Sequence, residues 1–298
     1  VGAAIAILYI FLWASAYVPS KIASIESDPL WFLVVRFVTA GAVLAVLAIA
    51  WRQPFPRTKR GWLVAAALGV LANATYLGLT YVALRHLSSG MGAIVASTNP
   101  LVLAIVAPFA LGEPLSRSKA VGLALGFAGV LAIVLARSGS GTAAPLDVLL
   151  AFGGVCASVA STILYKRLAA GEPLLSLNAV QLGTAGLVLI PVAALLSGPP
   201  HVHLTAELVA SFAYLVVALS VGASLVWFWL LAHGEASRVS AYYYLTPAFG
   251  LGLAALLLHE PVGPRDLLGL AAIAGGIVLA QRGASAPSAN VRGDANAA

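Results

Sequence analysis

The second half of the chain repeats the first, and both halves are too apolar to fold in water. From Pro100 the sequence runs through Gly112-Glu113-Pro114-Leu115 to Gly122 and Gly129, and a shift of 147 positions, without a gap, brings Pro247, Glu260-Pro261, Gly269 and Gly276 onto it. At a shift of about 145, Lys21 falls on Lys166, and Thr39-Ala40-Gly41 falls on Thr184-Ala185-Gly186. Each copy holds five apolar segments. An odd number forces the two copies to enter a membrane from opposite sides, the inverted-repeat plan of secondary transporters.

Composition agrees. The chain is 61% hydrophobic and only 9% charged, with a mean hydropathy of +1.00, far from the roughly 25% charged norm of soluble domains. Ten stretches reach the length a bilayer core requires: 2–23, 30–51, 61–83, 88–111, 116–136, 146–169, 174–197, 205–232, 237–258 and 264–281. The fold expected is therefore an all-α integral membrane protein of ten transmembrane helices in two inverted five-helix repeats. The first repeat spans 1–137 and the second 146–282. A Gly/Ser-rich linker, 138–145, joins them, and 283–298 reads as a disordered tail rich in Ala, Ser and Asn. Val1-Gly2-Ala3 has no basic stretch and leads straight into an apolar helix, so a signal peptide is not expected. Cys156 is the single cysteine and excludes an internal disulfide.

The net charge of +6 does not point to nucleic acid, because the basic residues do not gather on one recognition element. They sit at the ends of apolar segments. Alternate loops and the tail, with Arg52, Arg57, Lys59, Arg60, Arg117, Lys119, Lys166, Arg167, Arg238, Arg282 and Arg292, hold eleven, against three (Arg85, Arg137, Arg265) on the other side. The bias places both termini in the cytoplasm, in the inner or plasma membrane of a cell. The loops at Glu26–Pro29 and around His201 and His203 then face outward.

Polar groups within the spans mark the candidate site. Pro100 and Pro247 occupy the same position in the two copies, and each lacks the N–H that a helix interior uses, so helices 4 and 9 should kink there. Ser97-Thr98-Asn99 and Tyr242-Tyr243-Tyr244 lie beside these hinges. Asn73, Tyr76 and Thr80 recur at spacings of three and four, hence on one helical face. An amide in hydrocarbon is costly unless paired or wetted, which turns that face inward. The expected cavity lining is Asn73, Tyr76, Asn99 and Trp227, with Trp13, Ser97, Ser158 and Tyr244 as further members. The plain alternative for each serine or threonine is a bond to its own backbone or close helix packing. Arg36, about two turns into helix 2, needs a partner, either carbonyls and loop acids or an anionic substrate group. Glu113 and Glu260 occupy matching helix junctions and suit helix capping.

An intramembrane hydrolase would need an activated nucleophile or a metal, and no His, Asp or Glu falls within a helix core. No catalytic residue, metal site or cofactor is expected. The same lack argues against proton coupling and for a facilitator, since such carriers commonly rely on a buried group that changes charge.

The paired patterns, Pro100 through Gly112-Glu113-Pro114-Leu115 to Gly122, Gly126 and Gly129, and Pro247 through Glu260-Pro261 to Gly269 and Gly276, resemble the two EamA repeats of the drug/metabolite transporter superfamily. Arg36-Phe37 is similar to the family's first repeat, while Gln181 stands at the corresponding place in the second. The resemblance covers nearly all of the chain up to Arg282. It implies a central cavity formed by helices 1–4 and 6–9, with helices 5 and 10 packed outside. It also implies export of small metabolites, amino acids prominent among them, and the tyrosines and tryptophans favour aromatic ones. The partners expected are a small-molecule substrate and the lipid bilayer, with a monomer favoured. A passive channel, or a proton-coupled drug exporter of the same superfamily, is the alternative.

Overall fold

The computed structural model describes residues 2–112, 117–139, 144–169, 171–226, 229 and 246–282. Among them all regular structure is helical, apart from one isolated antiparallel bridge between Ser27 and Val202. The order is α1 (Gly2–Ser15), α2 (Tyr17–Glu26), α3 (Pro29–Ala50), α4 (Lys59–Gly69), α5 (Tyr76–Leu84), α6 (Ser89–Ala96), α7 (Asn99–Leu111), α8 (Arg117–Gly139), α9 (Pro145–Leu168), α10 (Leu174–Leu196), α11 (Ala206–Tyr214), α12 (Thr246–Leu258) and α13 (Pro264–Arg282). π-helical turns at Val70–Thr75 and Leu215–Ala223 follow α4 and α11.

Among the described residues, seven continuous helical runs are long and apolar enough to cross a bilayer, and two shorter apolar helices, Ala120–Ile133 and Ala248–Leu258, accompany them. Their outer faces are apolar too: Phe109 is 86% exposed and Leu195 84%. In water that arrangement would be inside out, and in lipid it is the expected surface. The protein is an all-α, multi-pass membrane bundle.

Helix ends are set by local chemistry. Asp28 Oδ1 accepts from the backbone N–H of Leu30 (3.0 Å) and Trp31 (3.2 Å), with Pro29 at the first position of α3. Thr58, Ser88 and Thr205 cap α4, α6 and α11 in the same way. Gly112 closes α7 with φ of +70°, a conformation that side chains resist. Within two of the seven runs the α-helical pattern, though not the helical path, is interrupted for a residue or two. The first breaks at Ala16, between α1 and α2. The fourth breaks at Ser97-Thr98, between α6 and α7, where Pro100 is the second residue of the new helix. The linker is described only at 138–139 and 144–145, and the tail beyond Arg282 lies outside the described residues.

The helices that correspond in the two copies pack against each other antiparallel. Along α3 and α10, the indole Nε1 of Trp31 donates to the Gly198 carbonyl (2.8 Å), and further on Gly41 meets Gly183. Along α8 and α13, the Ser118 hydroxyl donates to the Leu279 carbonyl (2.8 Å), while Gly129 meets Gly269. The contacts are also reciprocal. A methyl group on Gly41 would lie 2.8 Å from the Gly183 nitrogen and 3.3 Å from the Ala179 oxygen; one on Gly186, its counterpart, would lie 3.1 Å from the Val38 nitrogen and 3.4 Å from the Val34 oxygen. Positions 34, 38 and 41 correspond to 179, 183 and 186, so the two sets of contacts are one contact seen twice. The same holds for Gly129 against Gly269 and Ile273, and for Gly276 against Gly122 and Gly126. Small residues permit this approach of backbone to backbone.

Candidate functional site

Two adjoining recesses lie within the bundle. One, of about 170 Å³, is bounded by α1, α2, α3, the first π-turn and α5 from the first copy, and by α10 and the second π-turn from the second. The other, of about 440 Å³, extends from Tyr9 and Leu68 to Ser161, Tyr165 and Leu174. Trp13, Asn178, Leu219 and Ser224 border both.

The π-turns explain part of this lining. A wider turn shifts the helix face by a fraction of a residue and is found disproportionately at functional sites. Val70–Thr75 carries Asn73, and Leu215–Ala223 carries Leu219 and Ser220. The two turns begin 145 positions apart, at the repeat offset. Ser220 donates to the Leu215 carbonyl five residues back (3.1 Å), and Ser224 donates to Ser220 O (2.8 Å) while accepting from Asn178 Nδ2 (2.8 Å). That fixes the Asn178 amide at the seam between the recesses.

Of the residues expected in the lining, Trp13, Asn73 and Tyr76 border the first recess together. Trp13 stacks on Tyr9 with ring centroids 6.5 Å apart. Tyr76 and Tyr17 bring their hydroxyls to 3.5 Å of each other. Asn99 Nδ2 donates to Ser158 Oγ (2.9 Å), joining α7 to α9, and neither residue borders the two recesses. Ser97 gives its hydroxyl back to the Ile94 carbonyl (2.6 Å), the self-satisfying alternative. Trp227 and Tyr244 lie outside the described residues, as does Glu113.

The walls also include groups that pattern reading passed over: Tyr81, Ser20 and Ser220. Tyr81 was findable from Arg36, because a buried arginine requires a nearby acceptor: Arg36 Nη1 donates to the Tyr81 hydroxyl at 2.8 Å. Lys21 has a structural use. Its Nζ donates to the carbonyls of Leu84 (2.6 Å) and Arg85 (3.1 Å), which the end of α5 leaves unpaired.

At the C-terminal end of α2 the two copies are tied together by backbone hydrogen bonds. Asp28 N donates to His201 O (3.0 Å) and His203 N to Glu26 O (2.8 Å), around the Ser27–Val202 bridge. Glu260, just before α13, accepts from the backbone N–H of Ser89 (2.6 Å) and Gly90 (3.0 Å) at the start of α6, and so caps a helix of the other copy. His86 pairs with Asp147 nearby at 3.1 Å.

The sequence profile of the EamA-like transporter family matches the chain twice, over residues 1–135 and 146–281. The chain belongs to the EamA-like transporter family. Membership makes it a membrane transporter and not an enzyme, and none of its residues needs a catalytic part. Among EamA-like relatives, the chain is 28% identical over 270 residues to the "Uncharacterized transporter YvbV" of Bacillus subtilis, covering 91% of this chain and 88% of that one. It is 22% identical over 284 residues to the "Probable amino-acid metabolite efflux pump" of Salmonella typhimurium, with 92% and 93% covered. A protein of known crystal structure matches at a TM-score of 0.67 and 21% identity, over 95% of this chain and 97% of that one, a likeness of fold.

Proposed function

We propose that this EamA-like protein exports small metabolites across the inner or plasma membrane, with amino acids, aromatic ones foremost, as cargo. The observation that carries the reading is a recess in mid-bundle, walled by helices of both copies, that combines amide and hydroxyl groups with the rings of Trp13, Tyr17 and Tyr76. A cavity that must hold a small solute and release it needs both hydrogen-bonding groups and apolar walls. Likeness to a relative described as an amino-acid metabolite efflux pump supports the substrate class. In proteoliposomes preloaded with a panel of amino acids and nucleosides, efflux of aromatic amino acids should be fastest and should saturate. Preference for nucleosides would refute the substrate reading.

The mechanism is alternating access by ten helices in two inverted five-helix repeats, 1–137 and 146–282. The antiparallel, reciprocal packing of α3 on α10 and of α8 on α13 supports it, because corresponding helices run in opposite directions. The described side chains of α8 and α13 border neither recess, in keeping with a supporting position outside the path. Helices 4 and 9 bend at Pro100 and Pro247. The irregular turn at Ser97-Thr98, just before Pro100, supports the first hinge. Alanine supplies an N–H and invites one continuous, stiffer helix. The double variant Pro100→Ala/Pro247→Ala should therefore reach the membrane at normal levels but transport at least about tenfold more slowly. Wild-type turnover would remove the hinge.

Both termini lie in the cytoplasm, on the eleven-to-three distribution of basic residues. Ser27 is only 5% exposed, so His201, on an exposed loop, is the better reporter. His201→Cys, with Cys156 replaced by alanine, should react with an impermeant maleimide added to intact cells. Labelling only after permeabilisation would reverse the topology. Transport is facilitated and not proton-driven. With voltage clamped by potassium and valinomycin, a pH gradient should produce no concentrative uptake, and accumulation against a gradient would contradict this.

A further inference from the structure

We propose that Arg36 is the docking point for a carboxylate, and that the recess recognises the acidic end of its cargo while leaving an amino group largely unread. The proposal rests on the reading of this recess as the substrate site. Arg36 is 6% exposed, inside a membrane span, and borders the recess. A guanidinium offers five N–H donors in a planar fork. One of its hydrogen bonds goes from Nη1 to the Tyr81 hydroxyl at 2.8 Å, and Nε is buried without a partner. A cation held in a membrane protein is normally matched by an acid, because the uncompensated charge is costly. Among the described residues no Asp or Glu borders this recess, and the 3.1 Å contact of Asp147 with His86 does not include Arg36. The corresponding position in the second copy is Gln181, so the repeat's packing does not itself require a charge there.

Tyr81 extends the argument. Its hydroxyl oxygen accepts from Arg36 and also from Ser20 Oγ at 2.7 Å, which occupies both lone pairs. Its own hydrogen is left to be donated. Arg36 and Tyr81 together thus present donors without an acceptor, and a carboxylate, with two oxygens and about four lone-pair directions, is their complement. An ammonium group finds nothing equivalent: the recess offers it the neutral oxygens of Asn73 and Asn178 and the ring faces of Trp13 and Tyr76. The recess therefore complements a single negative charge. An acid lacking the amine should bind about as well as the amino acid, and an amine lacking the acid should bind poorly.

The test is equilibrium binding to the purified full chain in lipid nanodiscs. The probes are L-phenylalanine, N-acetyl-L-phenylalanine and L-phenylalaninamide, with isovalerate and isovaleramide as an aliphatic pair. The expected result is that N-acetyl-L-phenylalanine binds within about threefold of L-phenylalanine, while the amide is weaker by roughly tenfold or more, the scale of a lost charge-assisted hydrogen bond. Arg36→Gln should erase the difference between acid and amide, Arg36→Lys should keep part of it, and Tyr81→Phe should narrow it. If Arg36→Gln does not fold, the wild-type ratio and the Tyr81→Phe ratio still decide. Equal binding of acids and amides by the wild type, or an unchanged ratio in folded Arg36→Gln, overturns the proposal and leaves aromatic cargo standing. Binding of isovalerate over isovaleramide, with no aromatic probe bound, overturns the aromatic reading and leaves the carboxylate site standing. Failure of every acid to bind overturns both.

Discussion

Gly276→Ala is expected to lower the midpoint of thermal unfolding in detergent by roughly 5–10 °C, while the same change one residue earlier, at Gly275, leaves it unchanged or slightly raised. A methyl group at position 276 would lie 2.5 Å from the Gly122 oxygen and 2.6 Å from the Gly126 nitrogen, both backbone atoms of α8 that no rotamer change can move. The helices would have to separate, and overpacking of this kind costs about 1–3 kcal/mol. At position 275 the nearest atom is the Leu125 side chain at 3.5 Å, an ordinary contact, and alanine is the better helix former. Gly129→Ala, the counterpart in the first copy, should behave like Gly276→Ala, because it meets the Gly269 oxygen at 2.7 Å. Fluorescence-monitored melting of the purified variants measures all three. Equal midpoints at 275 and 276 would mean that α8 and α13 do not pack as described.

The second large effect is expected at the tie between the copies. Glu260→Gln removes the charge from a carboxylate that accepts two backbone N–H groups at the start of α6. Charge-assisted bonds to a helix N-terminus contribute about 1.5–3 kcal/mol, so the closed arrangement of this end should lose about 2 kcal/mol, a shift of about 30-fold toward opening. Lys21 and His86 line the same surface recess as Glu260, and the Lys21 ammonium remains committed to the Leu84 and Arg85 carbonyls. A cysteine replacing Ala16, which borders the central recess, reports the opening. In a background without Cys156, its modification by an impermeant reagent from outside should accelerate at least about tenfold in the Glu260→Gln protein. An unchanged rate would show that Glu260 does not hold this end closed.

The fold was legible in sequence where a physical constraint was periodic or repeated. Apolar length marked the seven long spans and two shorter apolar helices found among the described residues, and Asn73, Tyr76 and Thr80, spaced to share one face, all border the recess. Glycines at matching offsets pointed to close packing, and the structure adds what they pack on: each other's copy, antiparallel. Capping by Glu260 was readable from its place at a helix junction, but its acceptance from a helix 171 residues earlier was not. Local interruptions were harder. The break at Ala16 has neither Gly nor Pro at the break itself, and the π-turns that carry Asn73 and Ser220 at the recess have no residue signature. Hydroxyl groups were ambiguous for a physical reason: a serine in a helix can satisfy itself three or four residues back or reach across, and Ser97 does the first while Ser158 accepts from Asn99.

The central claim is that solute moves by alternate exposure of one recess to the two sides, and counterflow tests it most directly. Proteoliposomes holding the purified chain are preloaded with excess unlabelled L-phenylalanine and diluted into a trace of the labelled compound. A carrier whose loaded form returns faster than its empty form must take up label transiently above equilibrium, and the overshoot must disappear when the internal load is omitted. That transient accumulation is the predicted result. Label that only equilibrates, at a rate indifferent to the internal load and linear in concentration, would contradict alternating access and identify an open pore.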